Sequence, residues 1–446
     1  MATFPLNFGK IHGPHHRSPE CDAMSLARAW TLLSFPIRTT FDRVMKRYAR
    51  RGDSMNRSNR GILTLLVLVA SVAVAETSTP SIPITVDCSL GQSLNRALSQ
   101  LDKRTPFTVS VNGTCTEYVR VIGFENLTLQ GLPGATLLQP ATGAGALFNS
   151  VLLIESSKSI TVAGFTIQAD TTTVSAIGIG HGSTDIRLRN LKIQGGGEGI
   201  VVFENSQVSL AYVTGKDPGY SPLGIYDSSD VHVEHCFFEN SSGALWHAGI
   251  DLGSSHLTIY DTRIRNMQVG INAGAGSVVD VQTFDTYSPF GGPTKVIIDN
   301  PAGTSFDGVT LSGGASLNVF AAGLVINNPG QSWGGTTAGV QVSDRSVLYA
   351  PSSNLVITGS HAQGIVVLNN SHATVTGASI TGSGHGGLVV SNLSSIDVTG
   401  GNPTLVSGSA VDLFCDSNST ITGSTNLAGV PTRQCTNVLA AEATLP

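Results

Sequence analysis

The chain has 446 residues and a net charge of −5, and only 12% of its residues are charged while 51 are glycine. This balance excludes the basic stripe of a nucleic-acid-binding protein and the long acidic run of a charged tail. Low charge combined with many Gly, Ser, Thr, Val and Ile residues favours an elongated all-β protein with frequent turns.

Residues 55–75 have the features of an export signal. Arg57 and Arg60 provide positive charge, 62–72 form a short apolar run, and 73–75 (Ala-Val-Ala) fit the small-x-small pattern before a cleavage site. The run is too short to cross comfortably a hydrocarbon core of roughly 30 Å, which takes about 20 apolar residues. We therefore predict a signal peptide, a secreted, periplasmic or cell-surface location, and no stable membrane span after cleavage.

Residues 1–54 precede the predicted signal peptide. Because a signal peptide is expected to begin the chain, we interpret these residues as a doubtful leader. We expect translation to start at Met55 and the mature protein to begin near Glu76. The remaining segments are a predicted linker at 76–87, a folded domain at 88–435 and a C-terminal tail at 436–446.

Four cysteines bracket the two ends of the predicted domain. We predict the disulfides Cys88–Cys115 and Cys415–Cys435, each of which closes a modest loop, as expected in an oxidising compartment. Cys236 is most simply a small, buried apolar residue.

A single helix is predicted before the β region. Ser89 and Gln92 have the spacing of a capping box. Leucines then recur at helical spacing, at Leu90, Leu94, Leu98 and Leu101. Because the first coil of a solenoid leaves an apolar end open, we predict that this helix is a cap.

From Val109 onward apolar and polar residues alternate, and one β-branched or Leu position recurs at spacings of 21 to 38 residues. These anchors are Ile177, Ile200, Ile225, Ile250, Ile271, Val309, Val340, Ile365, Leu388 and Val411. Short strands in a repeat of this length predict an all-β, single-stranded parallel β-helix of about 11–12 coils. The two long spacings predict insertions at 282–293 and 328–337.

The opening segments SLGQSLNRALSQ, VNGTCTEYVRV and FENLTLQG resemble those of exported bacterial right-handed β-helix repeat proteins of the pectin-lyase-like superfold. The coils GIVVFENSQVSL and GIVVLNNSHATVTGASI resemble their repeat. The resemblance implies a right-handed helix, but the superfold hosts lyases, hydrolases, esterases, epimerases and non-catalytic adhesins. The tripeptide at 180–182 matches Gly-His-Gly of polygalacturonases, whose other motifs are missing, so a turn is the simpler interpretation.

The candidate site lies on the middle coils. Aligned on Ile250 and its equivalents, the isoleucines point inward, so that Tyr226, Asp251 and Asn272 point outward. Neighbouring coils lie about 4.8 Å apart, so these three side chains are predicted to form one polar column.

Further candidates lie in the turns that precede these strands. We assign Asp251, His247 and Tyr226 as candidate catalytic residues, with Asp251 or His247 as a base and Tyr226 as an acid. Aromatic rings beside carboxylates suit a sugar. The candidate substrate-binding residues are Asn272, Trp246, Asp217 and Tyr220.

No cofactor or resident metal is predicted. Asp227, Asp230 and Asp251 could serve Ca²⁺, but Asp-Ser-Ser-Asp is first of all a turn sequence. A second polar column, in which His235 stacks on Asp261, is interpreted as a surface hydrogen bond between coils.

Two functions stay open at this point. The first is a secreted β-helix that binds a polysaccharide or cell-surface glycan along a lateral face of the middle coils, and that could also act as a polysaccharide lyase or glycoside hydrolase. The second is a non-catalytic surface adhesin or structural rod. No nucleic-acid partner is expected.

Overall fold

The computed structural model describes the chain from residue 81 onward, with short gaps. The described ranges are 81–141, 150–170, 174–241, 248–282, 295–299, 307–320, 323–329, 337–351, 354–400, 402–423, 426–428, 433–435 and 438–439. The predicted leader (1–54) and signal peptide (55–75) lie outside them. No helix within these ranges is long and apolar enough to cross a bilayer.

All paired strands are parallel and form three long sheets. Sheet A has 15 strands: β1 (Ile82–Asp87), β2 (Phe107–Asn112), β5 (Leu127–Gly131), β8 (Lys158–Ala163), β11 (Thr184–Arg189), β14 (Gln207–Ala211), β17 (Asp230–Glu234), β20 (His256–Tyr260), β23 (Val278–Val281), β26 (Ser316–Val319), β29 (Val347–Ala350), β32 (His372–Val375), β35 (Ser395–Asp397), β38 (Thr420–Thr422) and β41 (Val438–Leu439). Sheet B has 13: β3 (Thr114–Thr116), β6 (Thr136–Leu138), β9 (Thr166–Ala169), β12 (Lys192–Gly195), β15 (Thr214–Lys216), β18 (Phe237–Glu239), β21 (Arg263–Arg265), β24 (Lys295–Asp299), β27 (Gly323–Asn327), β30 (Leu355–Thr358), β33 (Ser379–Thr381), β36 (Thr404–Ser407) and β39 (Leu427–Ala428). Sheet C also has 13: β4 (Val119–Ile122), β7 (Ser150–Glu155), β10 (Ser175–Gly180), β13 (Ile200–Val202), β16 (Leu223–Tyr226), β19 (Ala248–Gly253), β22 (Val269–Gly274), β25 (Asp307–Leu311), β28 (Ala338–Val342), β31 (Gln363–Val367), β34 (Gly386–Val390), β37 (Val411–Cys415) and β40 (Arg433–Gln434).

The chain visits the sheets in the fixed order C, A, B and then returns to C one rung further along. Strands β4, β5 and β6 form one such coil, and β7, β8 and β9 form the next. The solenoid has about twelve turns, and this confirms the predicted parallel β-helix.

Inward side chains of the three sheets form one continuous apolar core. In sheet C, Ile177, Ile200, Leu223, Ile250 and Ile271 stand opposite one another, and all are fully buried. The predicted alignment of Ile225 with Ile250 was wrong by two residues, because Leu223 pairs with Ile250. Since the shift is even, Ile225 still points inward and is buried.

The N-terminal region differs from its prediction. Residues 82–87, placed in the predicted linker, form strand β1, which pairs with β2. Instead of one long helix there is a 3₁₀ turn at Cys88–Leu90 and a six-residue helix, α1 (Leu94–Ser99), whose N-cap is Ser93 and not Ser89.

Helix α1 begins where it does because Glu117 accepts hydrogen bonds from its first backbone N–H groups. The Glu117 carboxylate takes the N–H of Leu94 at 2.6 Å and of Asn95 at 3.2 Å, which satisfies donors that have no partner within the helix. Leu94 and Leu98 join the core, while Leu90 is 77% exposed. A role for α1 as a cap stays a prediction.

Both predicted cysteine pairs are joined, Cys88 to Cys115 and Cys415 to Cys435. Cys236 is free and buried, and burial raises the pKa of its thiol to about 12, which keeps it protonated and unreactive. Val438 and Leu439, in the predicted tail, form β41 of sheet A.

Glycines precede the buried anchor of sheet C in seven of the described coils. They are Gly199, Gly249, Gly270, Gly308, Gly339, Gly364 and Gly387. A Cβ atom at Gly270 would lie 2.5 Å from the carbonyl oxygen of Gly308 and 2.6 Å from Cγ2 of Ile298. In these coils the corner between sheets B and C closes around a residue without a side chain, whereas Ala176 and Pro222 take the position in two other coils.

Serines occupy the corner between sheets C and A, just before the sheet A strand. The buried members of this serine ladder are Ser157, Ser183, Ser206, Ser229, Ser255, Ser277, Ser346, Ser371, Ser394 and Ser419. The backbone N–H of Ser206 donates to Oγ of Ser229 at 3.2 Å, and that of Ser229 donates to Oγ of Ser255 at 3.2 Å. Each such hydroxyl satisfies a backbone donor that the core would otherwise leave unpaired. Ala315 takes the serine position in one coil.

Candidate functional site

Three predicted site residues lie on the outward side of sheet C. Asp251 in β19 pairs with Asn272 in β22, as predicted. Tyr226, at the end of β16, lies opposite Gly253, and Gly224 stands opposite Asp251. The predicted column was therefore wrong by two residues at Tyr226, although this side chain still points outward.

The missing side chain at Gly224 lets Tyr226 reach its predicted neighbour. A Cβ atom at Gly224 would lie 2.7 Å from Cε2 of Tyr226 and 2.9 Å from Oε1 of Glu198. The tyrosine ring thus lies back over Gly224, and its hydroxyl reaches Asp251 along a diagonal.

The result is a hydrogen-bonded chain across four coils. The Tyr226 hydroxyl lies 2.8 Å from Oε1 of Glu198 and 2.9 Å from Oδ2 of Asp251. Nδ2 of Asn272 donates to Oδ1 of Asp251 at 2.8 Å. We call Glu198, Tyr226, Asp251 and Asn272 the carboxyl–phenol cluster; all four side chains are half-buried.

The number of protons in this cluster limits which of its contacts can be hydrogen bonds. A phenol has one proton, so both carboxyl contacts are hydrogen bonds at once only when one carboxyl is itself protonated. Burial and the nearby Asp251 carboxylate raise the pKa of Glu198, although its bond to Tyr226 opposes the shift. Of the two carboxyl groups, Glu198 is the one whose pKa is raised by its surroundings.

The environment of Tyr226 bears on its predicted role as an acid. Burial and the two adjacent carboxyl groups raise the pKa of its hydroxyl. A phenol that holds its proton more tightly suits positioning rather than proton transfer, and Glu198 is the better acid in this cluster.

Glu198 was missed by sequence reasoning because it lies in the turn before β13, where alternation does not set side-chain direction. The signal that could have identified it is Gly224 opposite Asp251, which leaves room for a neighbouring side chain but is recognised only once the register is known.

Two other predicted binding residues, Asp217 and Tyr220, lie in the turn between β15 and β16. Asp217 accepts two hydrogen bonds from Ser241, at 2.5 Å from its N–H and 2.7 Å from its hydroxyl. Tyr220 is 61% exposed, and its N–H donates to the carbonyl of Gly197. Trp246 and His247 lie outside the described residues.

The three aspartates considered for Ca²⁺ do not converge. Across the described part of the chain, the one group of three metal-ligating side chains consists of the Cys88–Cys115 disulfide and Glu117. Asp230 instead bonds to His256, and Asp251 belongs to the carboxyl–phenol cluster.

In the second polar column, His235 lies next to Asp261 of the following coil, as predicted. Nδ1 of His235 lies 2.5 Å from Oδ2 of Asp261, and the imidazole stacks on Tyr212 with ring centroids 4.8 Å apart. Glu239 pairs with Arg265 at 3.6 Å and with Lys216 at 3.1 Å. These bonds join neighbouring coils on the outer surface, and the ion pairs of Glu239 with the exposed Lys216 and Arg265 add little stability each.

Residues 142–285 match the family model described as a right handed beta helix region. The fold is a right-handed parallel β-helix. No curated protein has significant sequence similarity to this β-helix.

Solved structures share the architecture. A variant of the catalytic domain of GH87 alpha-1,3-glucanase in complex with nigerose is 10% identical, with a TM-score of 0.51 over 82% of this chain and 69% of that one. The family 28 exopolygalacturonase of Yersinia enterocolitica is 11% identical, with a TM-score of 0.39 over 81% and 79%. The Streptococcus pneumoniae surface protein and adhesin PfbA is 12% identical, with a TM-score of 0.25 over 88% and 97%. At 10% identity, the likeness to the glucanase domain shows the fold alone.

Proposed function

We propose that this protein is a secreted β-helix that binds a polysaccharide along the outer face of sheet C in its middle coils. The carboxyl–phenol cluster is the observation that carries the proposal. It places two carboxyl groups, a phenol and an amide side by side on the outward side of a rigid sheet, where they can accept and donate hydrogen bonds to sugar hydroxyls.

The shape of the face supports an extended ligand. The outward column continues from Asp251 and Asn272 to Thr310 and Gln341 in consecutive coils. At about 4.8 Å per coil, these four polar residues follow the solenoid axis for about 14 Å. A linear glycan lying along the axis would meet one polar side chain per coil.

The charge of the cluster favours a neutral glycan over a polyuronate. Glu198 and Asp251 are both acidic, and Lys216, in the neighbouring sheet B strand β15, pairs with Glu239. An anionic polymer would need cations to offset the repulsion.

Glycan binding can be tested with a panel of neutral and acidic polysaccharides followed by calorimetry. Asp251→Asn and Asn272→Ala should each weaken binding by about tenfold, which corresponds to about 1.4 kcal/mol. Asp185→Asn, on the exposed side of sheet A, is the matched control and should bind like the parent. Equal affinities for Asp251→Asn and Asp185→Asn would refute the assignment of this face.

Hydrolysis is a second candidate, because the cluster holds two carboxyl groups side by side and the surroundings raise the pKa of one of them, Glu198. Glycosidases use such a pair, with one carboxyl group as the acid and the other as the base or nucleophile. One oxygen of each carboxyl group lies within 2.9 Å of the Tyr226 hydroxyl, so the phenol bridges the pair.

Reducing-end release from the glycans that bind separates the two candidates. Glu198→Gln should abolish release and keep binding if the protein is a hydrolase. Binding without release by the parent would instead support an adhesin or structural rod, the alternative interpretation of the sequence.

A further inference from the structure

A second concave surface lies on sheet B, in the first four coils. It is an open depression with a volume of about 560 Å³. We call it the glutamine groove and define it by Gln139, Gln168, Gln194, Asp170 and Asp217. None of these residues belongs to the carboxyl–phenol cluster.

Strand register builds the floor of the groove. Leu138, Gln168 and Gln194 stand opposite one another in β6, β9 and β12, so their side chains project from the same face. The backbone ladder fixes their spacing at about 4.8 Å per coil. With Asp217 after β15, the groove follows the solenoid axis across four coils.

The amides are arranged as a donor and acceptor row. Nε2 of Gln168 donates to Oε1 of Gln194 at 2.8 Å. Each glutamine amide has two N–H donors and an oxygen with two lone pairs, so this bond leaves most of their capacity for a ligand. Gln139 accepts the backbone N–H of Asp170, which fixes its amide at the edge of the groove.

The charge of the groove restricts the ligand. Its described lining contains two aspartates and no lysine, arginine or histidine. The adjacent Lys216 pairs with Glu239 at 3.1 Å. Carboxylates accept hydrogen bonds from hydroxyl groups but repel phosphates and uronates, while Leu138 and Pro140 supply apolar surface for the C–H face of a sugar ring.

We propose that the glutamine groove is a second glycan site that binds a neutral oligosaccharide. It lies on a different sheet from the carboxyl–phenol cluster and uses other residues, so it does not depend on the function proposed for sheet C. A protein with both sites would hold glycan on two faces of one rod.

Calorimetry with neutral gluco-, galacto- and manno-oligosaccharides tests the assignment, with trigalacturonate and a glucosamine trimer as the charged probes. The Gln168→Ala/Gln194→Ala double variant should lose at least about tenfold in affinity for the neutral probe that binds. Gln207→Ala, an exposed glutamine on sheet A, is the matched control and should leave the affinity unchanged. Asp251→Asn should also retain binding at this groove.

Three results would overturn the proposal. They are the absence of binding by any neutral oligosaccharide, equal affinities for the double variant and the Gln207→Ala control, and binding of trigalacturonate or the glucosamine trimer alone. If Asp251→Asn abolishes all binding while the double variant has no effect, the sheet C face binds glycan and the groove does not. The reverse pattern would support the groove and refute the proposal for sheet C.

Discussion

Replacing Ser229 by alanine tests the serine ladder. Its Oγ accepts the backbone N–H of Ser206 at 3.2 Å, in a corner where both serines are at most 1% exposed. Alanine removes the acceptor and leaves that N–H buried without a partner, which costs about 1–3 kcal/mol. We therefore expect Ser229→Ala to be clearly destabilised.

The same substitution at Ser346 should have the opposite outcome. Ser346 is fully buried, and its Oγ has no hydrogen-bond partner. Because the preceding rung is Ala315, whose own N–H bonds to Ser312, no backbone donor needs this hydroxyl. Removing an unsatisfied buried hydroxyl is neutral or stabilising, so Ser346→Ala should match or exceed the parent.

The assay combines urea denaturation with hydrogen exchange. Unfolding midpoints rank the two variants, and exchange at the Ser206 amide reports the local bond even where a long solenoid does not unfold in two states. Equal destabilisation by Ser229→Ala and Ser346→Ala, or unchanged protection of Ser206 in Ser229→Ala, would refute the reasoning.

Three further predictions concern pH and packing. Burial raises the pKa of Asp307 to about 6, above its unfolded value. The free energy of unfolding should therefore fall by on the order of 3 kcal/mol as pH rises from 4 to 7. Asp307→Asn should remove this fall, as measured by urea unfolding midpoints. The hydrogen bond to Asp230 raises the pKa of His256. The stability that the charged imidazole contributes is therefore complete below about pH 6.5 and is lost as pH rises through the folded pKa. His256→Gln should flatten that part of a Tm-against-pH curve measured at low salt. Gly339→Ala would place a Cβ 2.5 Å from Cγ2 of Ile357, so a loss of about 1–3 kcal/mol is expected, and a urea midpoint equal to that of the parent would contradict this corner packing.

The sequence predicted the solenoid because its signals are local and repeated. Inward positions alternate with outward ones in every strand, and the recurring anchors place the coils in parallel register. The helix prediction was wrong in extent, since leucines at helical spacing are also compatible with a turn followed by a short helix. The capping carboxylate of Glu117, 23 residues after Leu94, was invisible to a local pattern.

The register error at β16 has a specific cause. The pair Gly224–Ile225 looks like Gly249–Ile250, but Pro222 occupies the corner position that glycine holds in other coils. The serine ladder favours the observed register when β16 is compared with β22. Leu223 lies six residues before Ser229, as Ile271 lies six before Ser277, whereas Ile225 is only four before Ser229.

The candidate site was predicted in part. Asp251 and Asn272 lie in strands, where alternation sets direction, and the structure places them together. Glu198 lies in a turn, and Tyr226 reaches its partners only because Gly224 leaves space. Contacts that depend on a missing side chain in a neighbouring coil require the register before they can be seen.

The glycines before the sheet C anchors, which we call the glycine corner, allow the segments between sheets B and C to vary in length. The chain between sheets B and C is three residues long from β21 to β22 and seven from β24 to β25, yet the strands after it pair without offset. Insertions before the corner therefore do not shift the pairing of the sheet C strands that follow it. Surface segments could be exchanged, lengthened or recombined to retarget specificity, while the side chains of sheet C keep their positions.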